Sequence, residues 1–148
     1  MNVIKVKFSN NGKSIYELKQ ATKGSAGFDL KAAISKSLIL KSNCSILIPC
    51  GISIALPPNL EAQVRPRSGL ALKHQVTVLN SPGTIDSDYR GEICVILINH
   101  GNKKFEVVPK MRIAQIIFAE IANIKLKEVV TLDKTKRGED GFGSTGLN

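Results

Sequence analysis

The chain has 148 residues, 43% of them hydrophobic and 22% charged, the proportions of an ordinary globular domain and not of a disordered or fibrous chain. At this length one core buries roughly two-thirds of the unfolded surface, so no disulfide or metal staple is required. Lys and Arg number 21 against 12 Asp and Glu, a net charge of +9, and that surplus points to an anionic partner, either nucleic acid or a phosphorylated small molecule.

From the N-terminus onward the periodicity is mostly two. Ile4, Val6 and Phe8 alternate with Lys5 and Lys7, the pattern of a half-buried strand. In Ala26-Gly27-Phe28-Asp29-Leu30, Asp29 is a lone acid between apolar residues. It can hold an arginine, bind metal-bound water, or stand as a satisfied polar residue at a strand start. Short apolar runs follow at 37–40, 45–48 and 52–56. Residues 68–73 offer the one helical turn, with Ser68 placed to cap a helix over 69–73. Apolar runs return at 76–79, 92–98, 115–118 and 125–130, divided by turn residues such as Ser81-Pro82-Gly83 and His100-Gly101-Asn102. Many short strands at this spacing predict an all-β sandwich or barrel with one short helix. Residues 134–148 contain four glycines, the single aromatic Phe142 and no apolar period. Such a tail is mobile by default; it is either dispensable or it wraps a ligand.

No apolar run approaches the ~20 residues that cross a bilayer, and the opening MNVIKVKFSNN lacks the apolar stretch of a secretory signal. No membrane partner is expected. Cys44, Cys50 and Cys94 form no CxxC pair and no metal-ligand spacing, which predicts reduced, buried or inert thiols in a cytoplasmic protein. His74 and His100 stand apart and leave little to build a zinc site or a His-based triad on.

Five of the basic residues are arginines, Arg65, Arg67, Arg90, Arg112 and Arg137, in the segments RPRSG, DYRGE, MRIAQ and KRGEDGFGSTG. The planar guanidinium grips phosphate oxygens in pairs, whereas scattered Lys mainly solvates a surface; arginine at a strand end is also commonplace packing. Gly141-Phe142-Gly143-Ser144-Thr145-Gly146 matches GxGxxG, but the dinucleotide version needs a helix after it, and the chain ends two residues later. What remains is a Gly-rich loop with two hydroxyls whose free N–H groups can cradle phosphate. Phe142 can lie on a base, a contact worth roughly 1–3 kcal/mol. In Asn80–Glu92, NSPGTIDSDYRGE, Asn80 can read a base edge through paired donor and acceptor. A carboxylate there can orient and deprotonate water. Turns favour Asn, Asp, Ser and Gly without any function.

Taken together and in order, SAGFDL (25–30), RPRSGLA (65–71), NSPGTIDSDYRGEI (80–93), RIAQIIF (112–118) and RGEDGFGSTG (137–146) resemble the five motifs of the homotrimeric dUTPase family (deoxyuridine triphosphate nucleotidohydrolases). The resemblance implies a jelly-roll-like β fold, three copies around an axis, and cleavage of dUTP between the α and β phosphates to dUMP and pyrophosphate. The dUMP would feed dTMP synthesis, and uracil would be kept out of DNA. Residues 1–133 would form the catalytic β-barrel, and 134–148 an arm completing a neighbouring subunit's site. Mg²⁺ would be bound chiefly by the triphosphate, with water between it and Asp29. By motif, Asn80 and the backbone of Gly83, Thr84 and Ile85 would read uracil. Tyr89 would pack under deoxyribose and exclude a 2′-hydroxyl, and Asp86 would hold the attacking water as general base. Arg67, Ser68, Gly69 and Gln115 would bind phosphates. Arg137, Gly143, Ser144 and Thr145 would close on the γ-phosphate with Phe142 over the base. The family tail has paired glycines before the Phe where this chain has Asp140-Gly141; Glu139 and Asp140 are expected to point outward.

Two rival readings stand beside this one. A dCTP deaminase shares a similar fold but places a catalytic Glu in the strand after the hairpin, and 93–98, ICVILI, has no carboxylate. A non-catalytic module for single-stranded nucleic acid agrees with the charge. The seven aromatics (five Phe, two Tyr) do not interleave with basic residues as stacking platforms do, so stable nucleic-acid binding is not expected.

Overall fold

The computed structural model describes residues 3–17 and 19–141. Eleven strands and one helix occur among them: β1 (Lys5–Phe8), β2 (Phe28–Lys31), β3 (Leu38–Leu40), β4 (Ser45–Pro49), β5 (Ile52–Ala55), β6 (Leu60–Arg65), α1 (Ser68–His74), β7 (Val76–Val78), β8 (Gly83–Ile85), β9 (Cys94–Asn99), β10 (Phe105–Val107) and β11 (Arg112–Glu120). Pairing is antiparallel throughout. The sheets run β1-β5, β10-β3, β2-β11-β6-β8 and β4-β9-β7. This is the all-β, jelly-roll-like architecture expected, with one short helix.

Alternation puts one side of each strand into a shared core. β6 buries Leu60, Ala62 and Val64 and turns Glu61, Gln63 and Arg65 outward; β9 buries Val95, Leu97 and Asn99. In β11 the register against β2 shifts between Arg112 and Ala114. A bulge adds a residue to one strand and re-aims its side chains. Ile113 and Ala114 are therefore both buried while Arg112 remains exposed. Among the described residues Asn99 is the fully buried polar side chain, and its amide is satisfied: Nδ2 donates to the Leu40 and Lys103 carbonyls (3.2 and 2.8 Å) and Oδ1 accepts the Gly101 N–H (2.9 Å).

Two expectations are corrected. Residues 125–130 do not form a strand; the segment is irregular and exposed. Among the described residues its apolar alternation pairs with no strand, and a strand exists only as one member of a ladder. Nor does Ser68 cap the helix. Arg67 holds the N-cap position in extended conformation (φ −100°, ψ 127°) with no side-chain cap bond, and Ser68 is the first helical residue. Strands β6, β8 and β10 were not anticipated: Glu61, Gln63 and Glu106 dilute the apolar runs of β6 and β10, and β8 is three residues, Gly83-Thr84-Ile85, with one large apolar side chain.

Candidate active site

The outer face of the four-stranded sheet carries a row of polar residues set by register. Gln115 on β11 stands opposite Asp29 on β2 and opposite Arg65 on β6. The Asp29 carboxylate pairs with two guanidinium groups, Arg67 Nε at 3.1 Å and Arg112 Nη1 at 3.3 Å. Arg67 Nη1 also donates to the Arg112 carbonyl (3.1 Å), and Gln115 Nε2 donates to the Pro66 carbonyl (3.0 Å). Arg67, Gln115 and Asp29 thereby lie together at the root of α1, where Ser68 and Gly69 begin the helix. Of the roles open to Asp29 from sequence, holding an arginine is the one these contacts display. Arg65, an obvious anion candidate by type, is engaged elsewhere: Nε and Nη2 both donate to Gln63 Oε1 (3.0 and 2.6 Å), and Gln63 Nε2 donates to Glu61 Oε1 (2.5 Å).

A second group surrounds β8. The strand pairs with β6 at Val64–Gly83, Gln63–Thr84 and Ala62–Ile85. Beside it lies a cavity of about 370 Å³ lined in part by Asn80, Gly83, Thr84, Ile85, Asp86 and Tyr89. This lies at the small end of ligand-pocket sizes, roughly 300–1,000 Å³. Adjacent residues of β6 tie the two groups together, since Val64 pairs with Gly83 and Arg65 with Gln115. Asp86 is exposed, and its carbonyl accepts the Tyr89 N–H (3.2 Å) in the turn that returns the chain.

Cys94, Glu92 and Ile93 also line this cavity. The Cys94 thiol is pushed up by burial and then by the neighbouring Glu92 charge. It therefore stays protonated near neutrality and is a poor nucleophile. Cys44, Cys50 and Cys94 are all free thiols.

A larger cleft of about 1,060 Å³ lies between the β1-β5 and β2-β11-β6-β8 sheets, with walls that include Ile4, Val6, Ile54, Phe28 and Phe118. Among the described candidate residues Asp29 and its partner Arg112 reach it. Charged side chains, among them Lys19, Lys31, Lys110 and Arg112, also line it, but Asn80, the β8 backbone, Asp86 and Tyr89 gather at the smaller cavity, which is therefore the better candidate despite its size. Among the described residues no cluster of three or more His, Cys, Asp or Glu could hold a metal ion.

Of the tail candidates the described residues include only Arg137, and it is not joined to either group. Arg137 contributes to neither cavity; its Nε donates to the Asp140 carbonyl (2.8 Å) within its own turn. Glu139 and Asp140 are exposed. Phe142, Gly143, Ser144 and Thr145 lie outside the described residues. The sequence placed Arg90 among the arginine candidates for phosphate and gave Gly91 and Glu92 no role, yet all three shape the loop that carries Tyr89. Their contacts run largely through backbone atoms, which leave no signature in residue type.

A family model described as dUTPase matches residues 13–146. The deoxyuridine 5′-triphosphate nucleotidohydrolase of Rickettsia prowazekii (strain Madrid E) is 53% identical over 148 residues, covering 99% of this chain and 100% of its own. Among solved structures, the Staphylococcus bacteriophage 80alpha dUTPase bound to dUpNHpp superposes with a TM-score of 0.87 at 22% identity, covering 99% of this chain and 100% of that one. A mutant dUTPase from phage phi11 of S. aureus, described with a coordinated structural Mg(II) ion, gives 0.78 at 18% identity, covering 90% and 100%. The ordered motifs, the sheet topology and the match over nearly the whole chain agree: this chain belongs to the dUTPase family.

Proposed function

We propose that the chain is a dUTP diphosphatase that hydrolyses dUTP to dUMP and pyrophosphate. The observation that carries the site assignment is the 370 Å³ cavity, where Asn80, the β8 backbone, Tyr89 and Asp86 meet one register step from the Arg67 and Gln115 group. Family membership and the relatives' shared activity support the reaction.

In this reading Asn80 and the backbone of Gly83, Thr84 and Ile85 present paired donors and acceptors to the uracil edge. Tyr89 packs under the deoxyribose and leaves no room for a 2′-hydroxyl. Arg67, with its planar fork, and Ser68, Gly69 and Gln115 hold the phosphate oxygens. Asp86 takes a proton from water as that oxygen bonds to the α-phosphorus, and the α–β bridging oxygen leaves with pyrophosphate. Such transfer is mostly positioning and charge stabilisation, so distributed donors suffice.

The residues present fit Mg²⁺ in one manner. Mg²⁺ prefers oxygen ligands and retains water, and the Asp29 carboxylate, one-quarter exposed on its two arginines, suits a contact through water. Mg²⁺ would neutralise phosphate charge.

A homotrimer completes the assignment, with Arg137, Phe142, Gly143, Ser144 and Thr145 of the 134–148 arm closing over a neighbour's nucleotide. Its support is the chain's unpartnered apolar surface. Ile124, Leu126, Val130 and Leu132 are each at least 75% exposed. Exposed apolar surface on this scale marks association. Among the described residues no helix is long and apolar enough to cross a membrane, and the free thiols suit a cytoplasmic setting.

The deaminase reading has no support in β9, CVILIN, which carries no acid. Pyrophosphate release from dUTP, UTP, dTTP and dCTP, with and without Mg²⁺, tests the proposal. Release from dUTP in preference to the others is expected. Equal rates on all four, or ammonia from dCTP, would overturn it.

A further inference from the structure

We propose that Glu92 is a positioning residue that sets sugar selectivity by fixing Tyr89 to the β4–β5 turn; this rests on the assignment of Tyr89 to the deoxyribose. Glu92 stands where the chain leaves the Tyr89 loop. Its Oε1 accepts the Gly51 N–H at 2.6 Å. Two backbone bonds flank this contact, Ile93 N–H to the Ile52 carbonyl (2.8 Å) and Cys50 N–H to the Ile93 carbonyl (2.9 Å). The carboxylate thus supplies the acceptor that the ladder lacks between them, and as a charged acceptor it makes a stronger bond than a neutral one.

Gly51 is a firm anchor. It adopts φ +74°, and a Cβ there would stand 2.6 Å from Gly12 Cα, so two backbones are already in contact. The Gly51 carbonyl accepts the Ser9 N–H at 2.9 Å, which locks the turn to the end of β1.

On its other side Glu92 holds Tyr89. The Tyr89 hydroxyl donates to the Glu92 carbonyl at 3.1 Å. The ring lies over Gly91, where a Cβ would fall 2.3 Å from the hydroxyl oxygen. Arg90 Nη1 gathers the Ser87 and Tyr89 carbonyls (2.6 and 2.8 Å) and closes the loop. Tyr89 is 46% exposed, so no packing on its outer side fixes the rotamer. Its tip bond and the Gly91 shelf do so, and both depend on where Glu92 is held. Tyr89 and Glu92 line the same cavity. Without the Gly51 bond the ring can tilt, and the wall that excludes a 2′-hydroxyl becomes soft.

The test uses the full chain with Mg²⁺ and steady-state kinetics on dUTP and UTP. In Glu92→Ala the preference for dUTP over UTP in kcat/KM falls about tenfold, within the ~10²-fold that a misplacement near 1 Å can cost. The change is carried by KM, the mark of lost binding and not of lost transition-state contact. Glu92→Gln keeps a carbonyl acceptor for Gly51 and restores the preference. Gly91→Ala leaves the Glu92–Gly51 bond intact but displaces the ring, and reproduces the loss; it decides the matter if Glu92→Ala does not fold. Wild-type preference in either alanine variant, or a Gln variant as poor as Ala, overturns the proposal while dUTP hydrolysis stands. A wild-type chain that turns over dUTP and UTP alike overturns the Tyr89 assignment and this proposal with it.

Discussion

Asp29 on β2 and Arg67 at the start of α1, 38 positions apart in the chain, are joined by an ion pair, Oδ1 to Nε at 3.1 Å. The same carboxylate holds Arg112 through its other oxygen at 3.3 Å. Both partners of the first pair are only about one-quarter exposed, and the pair aims the guanidinium assigned to phosphate. Asp29→Asn should lower kcat/KM for dUTP by about tenfold or more, since loss of orientation alone can cost ~10²-fold, and should raise the Mg²⁺ concentration needed for half-activity. The melting temperature should change little, because partly exposed pairs contribute only ~0–1 kcal/mol. Unchanged kinetics with a lowered melting point would make the pair purely structural.

Asp86 is exposed and lines the cavity beside Asn80 and Tyr89. Asp86→Asn removes the base but leaves the shape. Binding of a non-hydrolysable dUTP analogue, measured by calorimetry, should persist while kcat falls about 10²–10⁴-fold, the usual contribution of general-base catalysis. Normal turnover would strip Asp86 of its role.

Deleting 137–148 removes Arg137 together with Phe142, Ser144 and Thr145. Among the described residues the last strand ends at Glu120, well before this segment. Circular dichroism and sedimentation should therefore report a folded trimer, while dUTP hydrolysis is crippled. Full activity in the truncated chain would show the tail to be dispensable.

Alkaline pH should destabilise the fold from within its core. The Cys50 thiol is pushed well above its ordinary value of 9.0, first by burial and then by the charges of Cys94 and Glu92. Tyr16 is likewise raised above 10.0, first by burial. Below pH ~9 both states hold the Cys50 proton, and this thiol makes no slope. Above it the unfolded chain releases the proton and the folded chain keeps it, so the free energy of unfolding declines as pH rises. One such group contributes at most about 1.4 kcal/mol per pH unit. Urea denaturation at intervals from pH 8 to 10.5 should show a shallower decline for Cys50→Ala than for wild type. Parallel slopes would refute the assignment.

Much was legible in the sequence because strands follow a local rule. The alternation of Ile4, Val6 and Phe8 with lysines gave β1, and the runs at 45–48 and 52–56 gave β4 and β5 to within a residue. The five ordered motifs identified the family, since their residue types persist wherever the chain goes. Periodicity misled at 125–130 for a physical reason: alternation states that a segment can pair, and pairing requires a neighbour that the described residues do not supply.

Residue types and their order therefore determined the class of fold, the family and the chemistry of each candidate group. Tertiary structure alone decided which groups meet. Register sets Asp29, Gln115 and Arg65 in one row across three strands. The fold also brings Arg67 to face Asp29 and gives Glu92 a backbone N–H from 41 residues away. Ladder hydrogen bonds form between backbone atoms common to every residue, so local composition carries no record of which strands they join.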